Sequence, residues 1–96
     1  MAVSTLRAFW ARRGRHDTEQ PLRAWVHVVK AAQWSNLAEV KEMFRSADIL
    51  PNDRVVFNIG GNKYRLIVAI HYRAKRVFVR FIGTHAEYDK IDATKV

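Results

Sequence analysis

The chain predicts an α+β domain: two or three N-terminal helices packed on one face of a three- or four-stranded antiparallel sheet, with a short helical turn at the end. Three observations predict it. Apolar residues recur at helical spacing up to residue 44, they alternate from residue 54 to 82, and Gly60-Gly61-Asn62 separates two of the alternating runs. The 96 residues suit a single domain spanning 1–96.

Leu6, Phe9 and Trp10 stand at i, i+3 and i+4, which predicts a helix over 5–13 with Ser4 or Thr5 as its cap. Met1–Val3 is expected as a short leading strand. Gly14–Thr18 is a polar break. Asp17 or Thr18 is then expected to cap a second helix, with Pro21 tolerated in its first turn. Leu22, Trp25, Val26 and Val29 give that helix an apolar stripe, and Arg23, His27 and Lys30 face water. Asn36 and Glu39 have capping-box spacing before a third helix, whose apolar side carries Leu37, Val40, Met43 and Phe44. Pro51 and Asn52 predict a turn over Ile49–Asp53.

Val55, Phe57 and Ile59 then alternate with Arg54, Val56 and Asn58, as a half-buried strand requires. Gly60-Gly61-Asn62 is a hairpin turn, because glycine and asparagine tolerate positive φ. Tyr64 to Tyr72 alternate again, Arg73–Lys75 turn the chain, and Val77, Val79 and Phe81 alternate with Phe78, Arg80 and Ile82. Thr84, with Glu87 three residues on, predicts a capped final helical turn. If Tyr72 pairs with Val77, then Ala69 lies opposite Arg80 and Arg65 opposite Thr84. Arg65 and Arg80 then share a face with Arg54 and Asn58, and Phe81 joins the helix-covered face. Ile67, Phe78 and Ile82 remain on the cationic face, where a protein partner or a terminal segment is expected to cover them.

The charge is uneven. Residues 54–90 hold eight basic side chains against two acidic ones, which is +6 of the chain's +8. A basic sheet points to a polyanion, although ribosomal proteins, DNA binders and membrane-surface proteins share that balance. There is no cysteine, so neither a disulfide scaffold nor a thiolate metal site is expected. No apolar run approaches the roughly 20 residues that span a bilayer. MAVSTLRAFWARR lacks a continuous apolar core, which argues against a secretory signal and for a soluble, cytoplasmic protein. No His/Asp/Glu spacing resembles a metal site, no glycine-rich loop precedes a helix, and no cofactor is expected.

The sequence between 54 and 90 can support RNA cleavage without a metal, because the 2′-hydroxyl of RNA is itself a nucleophile. The protein must then add a base, an acid for the departing 5′-oxygen, and positive charge around the phosphorus. Arg65 and Arg80 suit the last task, since the guanidinium fork matches phosphate oxygens. His85 is a proton-transfer candidate, as histidine titrates near pH ~6.5. Tyr88 can stack on a base or move a proton, and it shares a helical face with His85 at i, i+3. Each also has a plainer reading: edge-strand charges for the arginines, a capping residue for His85, and a ring packed on the core for Tyr88. His71, between apolar strand residues, reads as structural, and His16 and His27 as solvent-facing.

The segments VFNIGGNKYRLIVAI and VFVRFIGTHAEYDKID, with LRAFW, PLRAWVHVVKAAQW and SADIL upstream, resemble the HigB-type toxins of bacterial toxin–antitoxin pairs over nearly the whole chain. The resemblance implies a RelE-like fold and an mRNA interferase that acts on messenger RNA during translation on the ribosome. It also implies a cognate helix-turn-helix antitoxin. Strand cations that hold the phosphate in such toxins correspond here to Lys63, Arg65 and Arg80, and terminal proton-transfer groups to His85 and Tyr88. Arg54, Asn58, Asn62, Lys63, Arg73 and Lys90 make up the expected RNA-binding surface around this catalytic set. The alternative is a non-catalytic RNA- or ribosome-binding module using the same face, which needs the arginines but not His85. A third reading, a protein-interaction domain built on Ile67, Phe78 and Ile82, predicts no RNA affinity.

Overall fold

The computed structural model describes residues 3–61 and 63–96. The N-terminal apolar repeats form α1 (Val3–Trp10), a 3₁₀ turn (His16–Thr18), α2 (Glu19–Ala31) and α3 (Leu37–Met43). The sheet comprises β1 (Asp48–Leu50), β2 (Arg54–Ile59), β3 (Tyr64–His71) and β4 (Arg76–Thr84), and α4 (His85–Tyr88) follows. The strands form an antiparallel meander in the order β1-β2-β3-β4. No described helix is long and apolar enough to cross a membrane.

The helices sit on one face of the sheet, as the alternation requires. Leu6, Phe9 and Trp10 of α1 and Leu22, Trp25, Val26 and Val29 of α2 are buried against Val55, Phe57, Ile59, Tyr64, Leu66, Val68 and Ile70. Phe57 anchors this layer with Trp25 and Phe44 edge-on to it, at centroid distances of 5.4 and 5.0 Å. Burying each such aromatic or aliphatic side chain contributes about 1.5–3 kcal/mol, so this face holds the fold together.

Several local expectations are corrected. Val3 is helical rather than extended, with Met1 and Ala2 outside the described residues, and Ser4 and Thr5 lie inside α1 instead of capping it. The helix also stops earlier than residue 13, because the chain turns toward Gly14 in the left-handed region at φ 79°. Thr18 occupies the N-cap position of α2, but its hydroxyl donates back to the Arg15 carbonyl (2.6 Å). Asp17 does not cap either, since Lys63 and the Tyr64 hydroxyl donate to its carboxylate. Asn36 does cap α3, accepting from the Glu39 amide, while the Glu39 carboxylate reaches one residue further back to Ser35 N. In that two-turn helix only Val40 is fully buried, and Leu37 and Met43 are half-exposed. Ile49 and Leu50 pair with Val55 and Arg54 as strand β1, which leaves Pro51–Asp53 as the turn. Asn52 and Asp53 both take positive φ there.

The register departs from expectation in a way that matters for the site. Both hairpin loops have four residues, so β3 pairs with β4 as Ile70↔Val77 and Ala69↔Phe78 rather than Ala69↔Arg80. A bulge then falls between Ile67 and Val68, where Val68 faces Val79 but Ile67 faces Phe81, leaving Arg80 as the extra residue. Beyond it every side chain changes face relative to unbroken alternation. Phe81 therefore joins the second face, Ile82 packs on the helix side, and Arg65 lies opposite Gly83 instead of Thr84.

The second face is covered in part by the chain's own C-terminal segment. Val56 and Ile67 are buried there with Ala93, and Leu50, Phe81, Tyr88, Ile91 and Val96 pack around them. Of the two outcomes expected for Ile67, the terminal segment is the one observed. Phe78 stays exposed, with His71 edge-on to its ring at 5.5 Å.

Candidate active site

The second face carries a cluster of polar groups where β3, β4 and α4 meet. Arg65, near the start of β3, is directly across from Asn58 on one side and Gly83 on the other. Beyond Gly83 the chain turns into α4 through a capping box: the Glu87 amide donates to Thr84 Oγ1 (3.2 Å), and the Thr84 amide donates to Glu87 Oε1 (2.8 Å). This box fixes the first residue of the turn, His85, above the strand. Gly83 is needed for the same reason. A Cβ there would lie 2.7 Å from the Phe81 ring and 2.9 Å from the Glu87 carboxylate that closes the box.

Within this frame Arg65 Nε donates to His85 Nε2 at 3.1 Å. The guanidinium carbon sits 5.2 Å from the centroid of the Tyr88 ring, a cation–aromatic contact. The i, i+3 spacing of His85 and Tyr88 thus turns both toward one arginine. An arginine cannot give up its charge, so the accepting imidazole nitrogen must carry a lone pair. Arg65 Nη1 leans toward Asp48 at 3.7 Å, beyond hydrogen-bond distance, and Asp48 is itself largely exposed. The Arg65 side chain is 20% exposed, and Nη2 is the nitrogen of its fork with no hydrogen-bond or ion-pair partner among the described residues. Asp48 opens β1, whose other two residues were expected in a turn over Ile49–Asp53, and no sequence motif marks it.

The other expected residues are dispersed. Arg80, at the bulge, shares the face but lays its guanidinium over Phe78 (5.6 Å) rather than toward His85. Asn58 donates through Nδ2 to the Ser46 carbonyl (3.3 Å), and its Oδ1 is buried without a partner among the described residues. Arg54 holds the C-terminal segment, donating from Nε and Nη2 to the Val96 oxygen at 3.0 and 2.7 Å. Lys63 donates to Asp17 (3.1 Å) as an exposed ion pair. That pair and the Tyr64 hydroxyl lower the Asp17 carboxyl below its ordinary range, the tyrosine contributing most, and Lys63 is raised in turn. Arg73 lies in the turn beyond the far end of β3, about 20 Å or more along the strand from Arg65 at ~3.3 Å per residue. Lys90 is exposed just past α4. Asn62 lies outside the described residues. His16, His27 and His71 are exposed, away from the cluster.

Residues 18–91 match a family model described as the RelE-like toxic component of a toxin–antitoxin system, HigB toxin. The class of molecule is thus a RelE-like toxin, on an α+β scaffold whose second sheet face bears the Arg65 cluster. The chain belongs to the HigB toxin family. It is 36% identical over 72 residues, 73% of this chain and 70% of the relative, to the mRNA interferase HigB of Escherichia coli O6:H1 (strain CFT073). It is 29% identical over 77 residues, 78% of this chain and 72% of the relative, to the mRNA interferase toxin HigB of Escherichia coli strain K12. The same identity and coverage hold for the mRNA interferase HigB of Shigella flexneri.

Proposed function

We propose that this chain is an endoribonuclease toxin that cuts messenger RNA, on the translating ribosome in the cytoplasm, and is neutralised by a cognate helix-turn-helix antitoxin. The observation that carries the reading is the Arg65–His85 hydrogen bond over the Tyr88 ring, on the strongly basic half of a HigB-family chain. The mRNA interferase relatives supply the substrate class.

In the proposed reaction the 2′-oxygen attacks the adjacent phosphorus and the 5′-oxygen departs, leaving a 2′,3′-cyclic phosphate and a 5′-hydroxyl. The scissile phosphate draws the Arg65 fork toward its non-bridging oxygens, where two N–H groups oppose the charge that builds in the transition state. That movement releases His85 Nε2, whose lone pair then takes the 2′-hydroxyl proton. Tyr88 is the second proton-transfer group or the platform for the neighbouring base, and Arg80 joins the phosphate contact by leaving Phe78. Lys63 and Lys90 hold the backbone nearby, and the exposed Lys63–Asp17 pair is weak enough to exchange for a phosphate.

The test is to incubate the purified protein with a translating extract and map the 5′ ends of the messenger RNA. New internal 5′-hydroxyl ends support the proposal. Intact messenger RNA bound by a folded protein would favour the non-catalytic module instead.

A further inference from the structure

The polar break between α1 and α2 holds three arginines within four residues, Arg12, Arg13 and Arg15, and the fold brings them to the same end of the sheet as the Arg65 cluster. We infer that this arginine loop is a second RNA-binding element, one that takes the backbone flanking the nucleotide held at Arg65 and His85. The inference rests on the interferase reading and extends it to how a longer substrate runs across the protein.

The placement follows from a chain of contacts. Arg15 lies over both the Phe9 and Tyr64 rings, at 5.9 and 5.8 Å, and Arg12 lies over Phe9 at 5.4 Å. Tyr64 immediately precedes Arg65 and is paired with Thr84, the cap of α4. Arg15 and Arg12 also help to lower the Glu87 carboxyl, after the larger effect of its capping bonds to Thr84. Arg65 projects to one face of the sheet and Tyr64 to the other, so a strand leaving Arg65 around this end meets the arginine loop. Arg12 and Arg13 are exposed. The two nearby carboxylates are already engaged, Asp17 by Lys63 and Tyr64 and Glu87 by the capping box. Arg15 Nε is buried with no hydrogen-bond partner among the described residues. Two guanidinium groups resting on aromatic rings beside the exposed Arg13, with no salt bridge to a carboxylate among the described residues, match a sugar–phosphate chain.

The plainer explanation is that cations at the C-terminal end of α1 complement the helix dipole. The two differ in what a lysine replacement or a longer RNA does. The experiment compares wild type, Arg12→Gln/Arg13→Gln and Arg12→Lys/Arg13→Lys for binding to 2′-O-methyl RNA, which lacks the attacking hydroxyl. Oligonucleotides of about 4 and about 16 nucleotides cover the usual range of single-strand site sizes. Thermal unfolding of each protein is followed in parallel. The Gln pair is expected to lose about tenfold in affinity for the long RNA only. Its log–log salt slope should fall by about 1.4, from ~0.7 per lost phosphate contact. The Lys pair should recover most of both. An unchanged affinity and slope for the long RNA would overturn the arginine loop and leave the Arg65 site standing. Equal losses for both RNAs with a lowered unfolding midpoint would overturn it as a structural effect. Wild type binding neither RNA would overturn the arginine loop as a site for free RNA, while the interferase reading stands or falls separately on the 5′-end mapping in the translating extract.

Discussion

Replacing Arg65 by lysine separates catalysis from stability in a way that the geometry makes quantitative. The substitution keeps the charge but removes the planar fork, so one group can no longer meet two phosphate oxygens. Losing a preorganised donor at a charge-developing oxygen costs about 10²- to 10³-fold in rate. The structural cost is small by comparison. The Arg65 side chain is only 20% exposed, but its Asp48 partner is 3.7 Å away and mostly exposed, so solvent screens the pair from that side and it contributes about 1 kcal/mol. The Tyr88 contact at 5.2 Å adds about 0.5–1 kcal/mol, part of which an ammonium retains. Loss of the Nε–Nε2 bond leaves a partly exposed imidazole that water can satisfy. Arg65→Lys should therefore unfold within about 1 kcal/mol of wild type in urea while single-turnover cleavage of a messenger RNA falls at least ~10²-fold. A variant that cleaves within a few-fold of wild type would refute the assignment of the phosphate to Arg65. A collapse in stability would show that Arg65 serves the fold first.

Three further outcomes are expected. Gly83→Val should push Phe81 and the Glu87 carboxylate apart and open the α4 cap, costing about 1–3 kcal/mol by overpacking and lowering cleavage, read by urea unfolding and by amide exchange at Glu87. Arg54→Ala should release the C-terminal segment, so amides of residues 93–96 exchange faster while the helix-side core is unchanged; unaltered exchange would contradict the clamp. Asp17→Asn should lower stability at neutral pH. Because folding depresses the Asp17 pKa, its contribution is complete above the unfolded value near pH ~4 and is lost as pH falls through the folded one. The stability gap to wild type should therefore close in acid, and a gap that persists there would contradict the ionic role.

Much of the fold was legible because it depends on period. The α2 stripe, the alternation of β2 and β3 and the Thr84–Glu87 box are all local patterns with one physical solution. The failures came where tertiary contacts decide. Asp17 has the chemistry of a cap, but Tyr64 and Lys63, brought from the far half of the chain, claim its carboxylate. β1 is three residues long and exists only because β2 offers it an edge. The bulge at Arg80 has no signature in VFVRFIG, yet it sets the face of everything after it. For the site, the i, i+3 spacing of His85 and Tyr88 anticipated a shared direction, and Arg65 meets both. Arg80 was assigned to Arg65's neighbourhood from an unbroken register and instead lies over Phe78. Arg54 was read as an RNA contact because its role depends on a C-terminal segment folding back over the sheet. Arg12 and Arg13 were expected within the first helix and Arg15 in the polar break after it, so the run of three arginines in four residues was divided between two elements.

The most direct test of the central claim is induction of wild type and His85→Ala in a bacterial host, with 5′ ends of messenger RNA mapped alongside growth. The account predicts arrest and new internal 5′-hydroxyl ends with wild type, and loss of both with a His85→Ala protein shown to be folded. Arrest with undiminished cleavage by His85→Ala would contradict it.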